Sequence, residues 1–518
     1  PADARSQPDR RRQQPDAPLD VVTDATHPVE ILGGGFFEPI MTMIPERDRI
    51  GQIRSYTAYL EELLGAKVRG MWVPERVWEQ HLVSPIARAG IEYTILDDFH
   101  FERAGLTGDS LHGYYLTEEE GILLKIFPGS ETLRYAIPFR EPHSSYEFLR
   151  DLAERRPGCT VVCADDGEKF GSWPETYDHV YTQGWLRRFF DMIRGNRDWL
   201  EPSTLAQAVD SSVPLGKVYL PDGSYREMTE WAMASDRFLA YRQAVERLEE
   251  HPNAEAFKPF VRAGASWRNF KSRYAESDEM YTRMLGISKR LERLESRPNV
   301  DPDYLEVARQ ELYRGQCNCP YWHGSFGGLY LPHLRNAIYR ALIQAHNALD
   351  EAEGLSGPRV SIEVADFNLD ARQEVRLENE SLIAFVRPAL GGHIYELDVR
   401  QQTTNVLATL DRRPEPYHAA IRTAAERAAA ASQGHSHHGS GERIRLKQEG
   451  LDRLLIYDHH PRKSLVDHFL AADATIDDLL VDDASERGDF PSGTYLARIV
   501  RERGKVAVAM ERVARPAQ

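Results

Sequence analysis

Through the first half of the chain, short uninterrupted apolar runs alternate with longer amphipathic stretches. The runs are VEILG (29–33), RGMWV (69–73), YTILDD (93–98), ILLKIF (122–127), TVVCAD (160–165) and KVYL (217–220). Between them lie segments such as 48–65 and 145–156, whose apolar residues recur at helical spacing. A strand that is apolar without alternation is covered on both faces, which is the condition of a parallel sheet flanked by helices. The pattern therefore predicts an α/β fold over 27–230, an incomplete β/α barrel with six recognisable strands. In such barrels the chemistry collects at the C-terminal ends of the strands.

From 231 to 353 the periodicity is helical throughout, as in DRFLAYRQAVERLEE and PHLRNAIYRALIQAHNALDEAEG. GLSGP (354–358) reads as a linker. After it, alternating segments such as RVSIEVADFN and HIYELDVR predict an antiparallel β domain over 356–518. Inside that region the Ala-rich and then His/Gly/Ser-rich stretch 419–442 reads as a flexible loop. Residues 1–26 are polar, rich in Pro, Arg, Gln and Asp, and without period, the signature of disorder.

Composition narrows the function classes. The chain has 518 residues, more than one compact core holds, so several domains are expected. Its 80 acidic and 64 basic side chains leave a net charge of −16, which opposes binding to nucleic acid. No apolar run is long enough for a membrane span, and the first residues lack the apolar core of a secretory leader. The four cysteines, Cys159, Cys163, Cys317 and Cys319, match neither a disulfide framework nor a common zinc spacing. They read as buried or half-buried thiols of a cytoplasmic protein. No metal site and no cofactor are expected.

Carboxylates and tryptophans gather where apolar strands end. MWVPERVW (71–78) places Glu75 directly after one strand. CADDGEKFGSWPETY (163–177) places Asp165, Asp166 and Glu168 after another, with Trp173 close behind. GQCNCPYWHGSFGGLYLPHLRN (315–336) carries Asn318, Trp322 and His323 ahead of a glycine-rich turn. Glycosidic cleavage asks for such groups: one carboxyl protonates the departing oxygen while a second attacks or stabilises the anomeric carbon. Singly, each piece has a plainer reading. Glu75 could pair with Arg76, and Asp165 and Asp166 could cap the helix that follows. Together they favour a sugar site.

The motifs VEILGGGFFEPI, RGMWVPERVW, ILDDFHF, LRYAIPFR, DDGEKFGSWPETY and QCNCPYWHGSFGGLYLPHLR resemble, in order and spacing, those of glycoside hydrolase family 57, within its 4-α-glucanotransferase and α-amylase group. The resemblance implies a seven-stranded incomplete β/α barrel, a helical region covering the active site, and a β-sandwich. It implies that Glu75 is the nucleophile and Asp166 the acid/base. It also places Glu30, Trp72, Glu168, Trp173 and Trp322 along the glucan site, with Trp322 over the barrel mouth. The family opens with a His-Gln-Pro strand, and nothing before His27 resembles it. Cys319 stands where the family commonly has an aspartate, and the β-sandwich portion is shorter than usual.

The leading expectation is a retaining 4-α-glucanotransferase acting on an α-1,4-glucan or maltooligosaccharide, as a monomer or a homodimer. The same residues serve an α-amylase, which differs in letting water take the glycosyl group. A family branching enzyme and a non-catalytic glucan-binding relic are weaker alternatives. A metal-dependent hydrolase is weakest, because no His and Asp ligand set stands out.

Overall fold

The computed structural model describes residues 29–324, 326–355, 357–432, 448, 450–480 and 486–513. The polar segment 1–26 and the HSHHG tract at 435–439 lie outside the described residues. The chain forms two compact units. One comprises the chain up to Phe36 together with Arg49–Pro221, and the other Phe37–Asp48 with the chain from Asp222 onward. The helical and β regions expected at 231–353 and 356–518 thus fall in one unit, and the break comes after Pro221.

Three of the six apolar runs in the first unit become strands: β1 (Gly70–Trp72), β2 (Tyr93–Asp97) and, after an intervening β3 (Tyr115–Glu119), β4 (Ile122–Gly129). β1 runs parallel to β2 and β2 to β4. All five residues of β2 are buried, as its unbroken apolar pattern requires. The runs at 29–33, 160–165 and 217–220 contribute single bridges: Gly33 to Met71, Val162 to Gly129 and Lys217 to Leu116. The parallel series is therefore Gly33 segment, β1, β2, β4, Val162 segment, an incomplete barrel. β3, absent from the expected strands, pairs antiparallel with β4. Its sequence YLTEE buries only Tyr115 and Thr117, and so lacks the continuous apolar run that marked the others.

Helices begin where the parallel strands end. Asp97 closes β2 and caps the helix Asp98–Arg103, its Oδ1 accepting from the Phe99 amide at 3.3 Å. Ser130 follows β4 and caps Glu131–Ala136, its Oγ accepting from the Leu133 amide at 3.3 Å. Such abrupt strand-to-helix turns hold polar side chains at the strand ends without a flexible loop. Beneath them Tyr93, Ile95, Phe127 and Val162 pack into one cluster with Trp72 and Ala164.

In the second unit the long helices are Ala275–Glu295, Pro302–Arg314 and Pro332–Ala352. A five-stranded antiparallel sheet follows: β5 (Val360–Ala365), β6 (Glu374–Asn379), β7 (Leu382–Arg387), β8 (His393–Val399) and β9 (Thr404–Asn405). The hairpin of β10 (Leu496–Glu502) and β11 (Lys505–Glu511) lays Ile499, Val506, Val508 and Met510 against Ile362, Val375 and Val386, completing a sandwich. Helix and sheet are joined by a buried cation. Arg283 donates to Glu396 at 2.9 Å and to Asp398 at 3.3 Å, both on β8. The stretch expected as a loop at 419–442 is helical over Pro416–Ser432, in keeping with its alanines. Among the described residues no helix is long and apolar enough to cross a membrane.

Gly70 sets the spacing between the first two strands. A Cβ there would lie 2.2 Å from Cε2 of the Tyr93 ring and 2.9 Å from a methyl of Leu32. Gly70→Ala should force β1 away from β2 and cost about 1–3 kcal/mol, as overpacked cores do. Because β1 leads straight into Glu75, activity should fall with it. Urea denaturation measures the first effect, and an unchanged midpoint would show that the strands part freely.

Candidate active site

The site grows from the C-terminal ends of the parallel strands. β1 ends at Trp72, and Val73 and Pro74 lead to Glu75, whose backbone is left-handed at φ 52° and ψ 16°. Arg76 follows at φ 47°. Two successive non-glycine residues in this region store strain that the surrounding structure must hold. His100 helps to hold it. Fully buried, its ring lies 3.1 Å from the Asp97 carbonyl through Nδ1 and 2.9 Å from the Arg76 carbonyl through Nε2, so it pins the Glu75 turn to the end of β2. Burial drives the imidazole pKa down to about 4, so the ring is neutral at pH 7.

Arg76 is the electrostatic hub. Its guanidinium lies 4.0 Å from Asp97 Oδ2 and 5.3 Å from the centre of the Trp72 ring. Arg134 approaches the same Asp97 oxygen at 3.7 Å. Burial nevertheless leaves the Asp97 carboxyl above the usual carboxylate range. Its neighbour Asp98 is pushed up to about 8, first by burial and then by the charge of Asp97, while its Oδ2 accepts from the Glu131 amide at 2.9 Å. Carboxylate oxygens of Asp97, Asp98 and Glu131 all lie within 4.8 Å of one another, close enough to share a cation. The two guanidinium groups already supply the positive charge there, and at pH 7 Asp98 carries its own proton. The donor set therefore does not favour a metal ion.

On the other side, the Val162 bridge leads to Asp165 and Asp166. Asp165 is engaged by the buried ammonium of Lys169, which also donates to the Arg134 carbonyl at 2.8 Å. Asp166 is left open, and its carboxyl is held above the usual range by partial desolvation, then by the charge of Asp165, against the opposing pull of Arg76. A carboxyl that keeps its proton longer than usual is suited to act as an acid. Glu168 is exposed and adds negative charge to the same strand end.

The remaining expected residues divide. Trp72 stands beside Arg76, and Trp173 is exposed and stacked on Phe139 at 6.0 Å. Glu30 lies at the opposite end of the sheet, where the strands begin: it takes a hydrogen bond from the Tyr93 hydroxyl and another from the Ala206 amide at 3.0 Å. That is a structural bond. Trp322 is fully enclosed in the second unit by Trp231, Phe270 and Phe326, and its indole N–H donates to Asn318 Oδ1 at 2.9 Å. Neither face of this ring is open to a sugar, although the residue was expected along the glucan site. Cys163 is exposed where a buried or half-buried thiol was expected, and no disulfide joins any of the four cysteines. Arg76, Asp97, Asp98, His100 and Arg134 were not among the expected site residues, although the ILDDFHF and LRYAIPFR motifs contain four of them. Their signal was charge inside otherwise apolar segments.

The chain also matches known proteins. Residues 22–221 match the model of Glycosyl hydrolase family 57. Residues 265–349 and 366–517 match the middle and C-terminal domain models of Alpha-amylase/4-alpha-glucanotransferase. The chain is 38% identical over 487 residues to Alpha-amylase 1 of Dictyoglomus thermophilum, covering 94% of this chain and 68% of that protein. It is likewise 38% identical over 467 residues to the 4-alpha-glucanotransferase of Thermococcus litoralis, covering 90% of this chain and 67% of that one. The crystal structure of the latter superposes with a TM-score of 0.80 at 36% identity, over 94% of this chain and 69% of that structure. The chain thus spans about two thirds of the length of these relatives. Family model, sequence identity and superposition agree, and the chain belongs to glycosyl hydrolase family 57.

Proposed function

We propose that this chain is a retaining 4-α-glucanotransferase, with Glu75 as nucleophile and Asp166 as acid/base. The observation that carries the reading is the unequal environment of the two strand ends. Glu75 sits in a strained turn beside the fixed charge of Arg76, and Asp166 holds its proton above the usual range. In the first half-reaction the Glu75 carboxylate attacks the anomeric carbon while Asp166 gives its proton to the departing glycosidic oxygen. The bond to the leaving glucan breaks as an ester to Glu75 forms. In the second, the 4-hydroxyl of another glucan attacks that carbon, Asp166 takes its proton, and the ester opens to restore Glu75. Each displacement inverts the centre, so the α configuration returns. Trp72, Glu168 and Trp173 line the substrate path in this reading. The four cysteines, none of them in a disulfide, support a cytoplasmic setting.

Hydrolysis is the second reading. Relatives at the same 38% identity carry the names alpha-amylase and 4-alpha-glucanotransferase, and the two reactions differ only in whether water or a sugar hydroxyl opens the ester. Incubation with maltotriose separates them: transfer yields longer oligomers, hydrolysis only glucose and maltose.

Glu75→Gln keeps the shape and removes the nucleophile, so turnover should drop by about a thousandfold or more. Activity within about tenfold of the unmodified protein would sink the assignment. Asp165→Asn removes a like charge beside Asp166 and should lower the Asp166 pKa. Because the acid form of Asp166 is the active one, the alkaline limb of the pH–rate profile should move to lower pH, with the acid limb in place. An unmoved alkaline limb would dissociate Asp166 from the proton transfer.

A further inference from the structure

Large aromatic rings rarely collect on an exposed surface without a partner, yet the first unit carries such a strip. Phe139, Trp173, Tyr177 and Tyr181 are 48, 40, 64 and 49% exposed. Phe139 and Trp173 stack with ring planes 16° apart, and the Tyr177 and Tyr181 centroids are 5.1 Å apart. Gly171, at φ 134°, brings the loop after Asp166 against the two tyrosines: a Cβ there would lie 3.0 Å from the Tyr181 ring and 3.4 Å from that of Tyr177. The strip is braced. Trp173 N–H donates to the Glu168 carbonyl at 3.1 Å, Thr176 Oγ1 donates to the Trp173 carbonyl at 2.8 Å, and His179 Nε2 bonds the Pro138 carbonyl at 2.8 Å. Leu133, Ile137, Phe170 and Trp185 pack behind it. At its inner end Lys169, the partner of Asp165, lies 5.5 Å from the centre of the Phe139 ring. A continuous run of contacts therefore leads from the acid-bearing strand end onto the aromatic surface.

We propose that Phe139, Tyr177 and Tyr181 extend the path on which Trp173 stands into a platform for the glucan chain beyond the bond being cleaved, and so set a preference for long substrates. The inference rests on the glucan-acting reading above and extends it. Pyranose rings present C–H faces that stack on aromatic rings, and tyrosine hydroxyls at the rim can bond sugar hydroxyls. A neutral polymer suits a surface whose inner-end cation, Lys169, is already paired with Asp165. Rings held rigid before binding lose little entropy on contact, so each added sugar contributes to affinity.

The test is the double variant Tyr177→Ala/Tyr181→Ala, with Phe139→Ala as a second variant, assayed on maltotriose and on amylose. Each should raise KM for amylose at least about tenfold more than KM for maltotriose, with kcat on amylose within about threefold. Mobility in a native gel containing amylose should be retarded for the unmodified protein and restored in the variants. Equal KM changes on both sugars, or an amylose KM that does not move, would overturn the platform. So would a protein whose mobility amylose does not change. Retardation lost in the variants, with no turnover of either sugar by the unmodified protein, would leave the platform standing and remove the transferase reading.

Discussion

The guanidinium of Arg76 is the group on which the rest of the active site depends. It lies over Trp72, reaches toward the buried Asp97 and acts at a distance on Asp166, while its own carbonyl is held by His100. Burying Asp97 beside Asp98 would be prohibitive without nearby positive charge. Arg76 and Arg134 supply it, and in doing so they tie the ends of β1, β2 and β4 to one electrostatic centre. The turn that carries Glu75, the proposed nucleophile, is therefore anchored through its neighbour rather than through Glu75 alone.

The barrel makes this economical. Parallel strands all end on one side, and the helices after β2 and β4 begin with a capping side chain at the turn. Polar groups are thereby delivered to one face on rigid elements, while the apolar cluster beneath excludes water from the strands themselves. The pKa pattern follows from depth along this gradient. His100 and Asp98, deep in the wall, are both neutral at pH 7, whereas Asp166 sits at the open edge, where desolvation is partial. Intermediate desolvation favours a group that must both give and take a proton within one catalytic cycle.

The second unit distributes its charges differently. Arg283 is spent on joining a helix to β8, and Trp322 on filling an aromatic core. Trp322 shows how a conspicuous aromatic in a motif-rich segment can be structural. Its indole is enclosed on all sides and its one donor is satisfied by Asn318. The aromatic rings that do face solvent in the first unit came from 139–181, where Trp173 alone had been expected at the site.

Sequence alone determined the parallel strands within the apolar runs 69–73, 93–98 and 122–127, the helical middle, the antiparallel C-terminal region and the carboxylates at the strand ends. These are legible because burial on both faces, or on one stripe, writes a period into the residues themselves. Tertiary structure decided what depends on segments distant along the chain. It reduced 160–165 and 217–220 to single bridges and added β3, whose half-polar pattern has no period of its own until β4 lies beside it. It sent Glu30 to the far end of the sheet and closed Trp322 into a core. It also raised the Asp166 pKa, because desolvation and the charge of Asp165, acting through space, outweigh the opposing charge of Arg76. A motif names the groups present; only packing sets how far each lies from water and from the other charges.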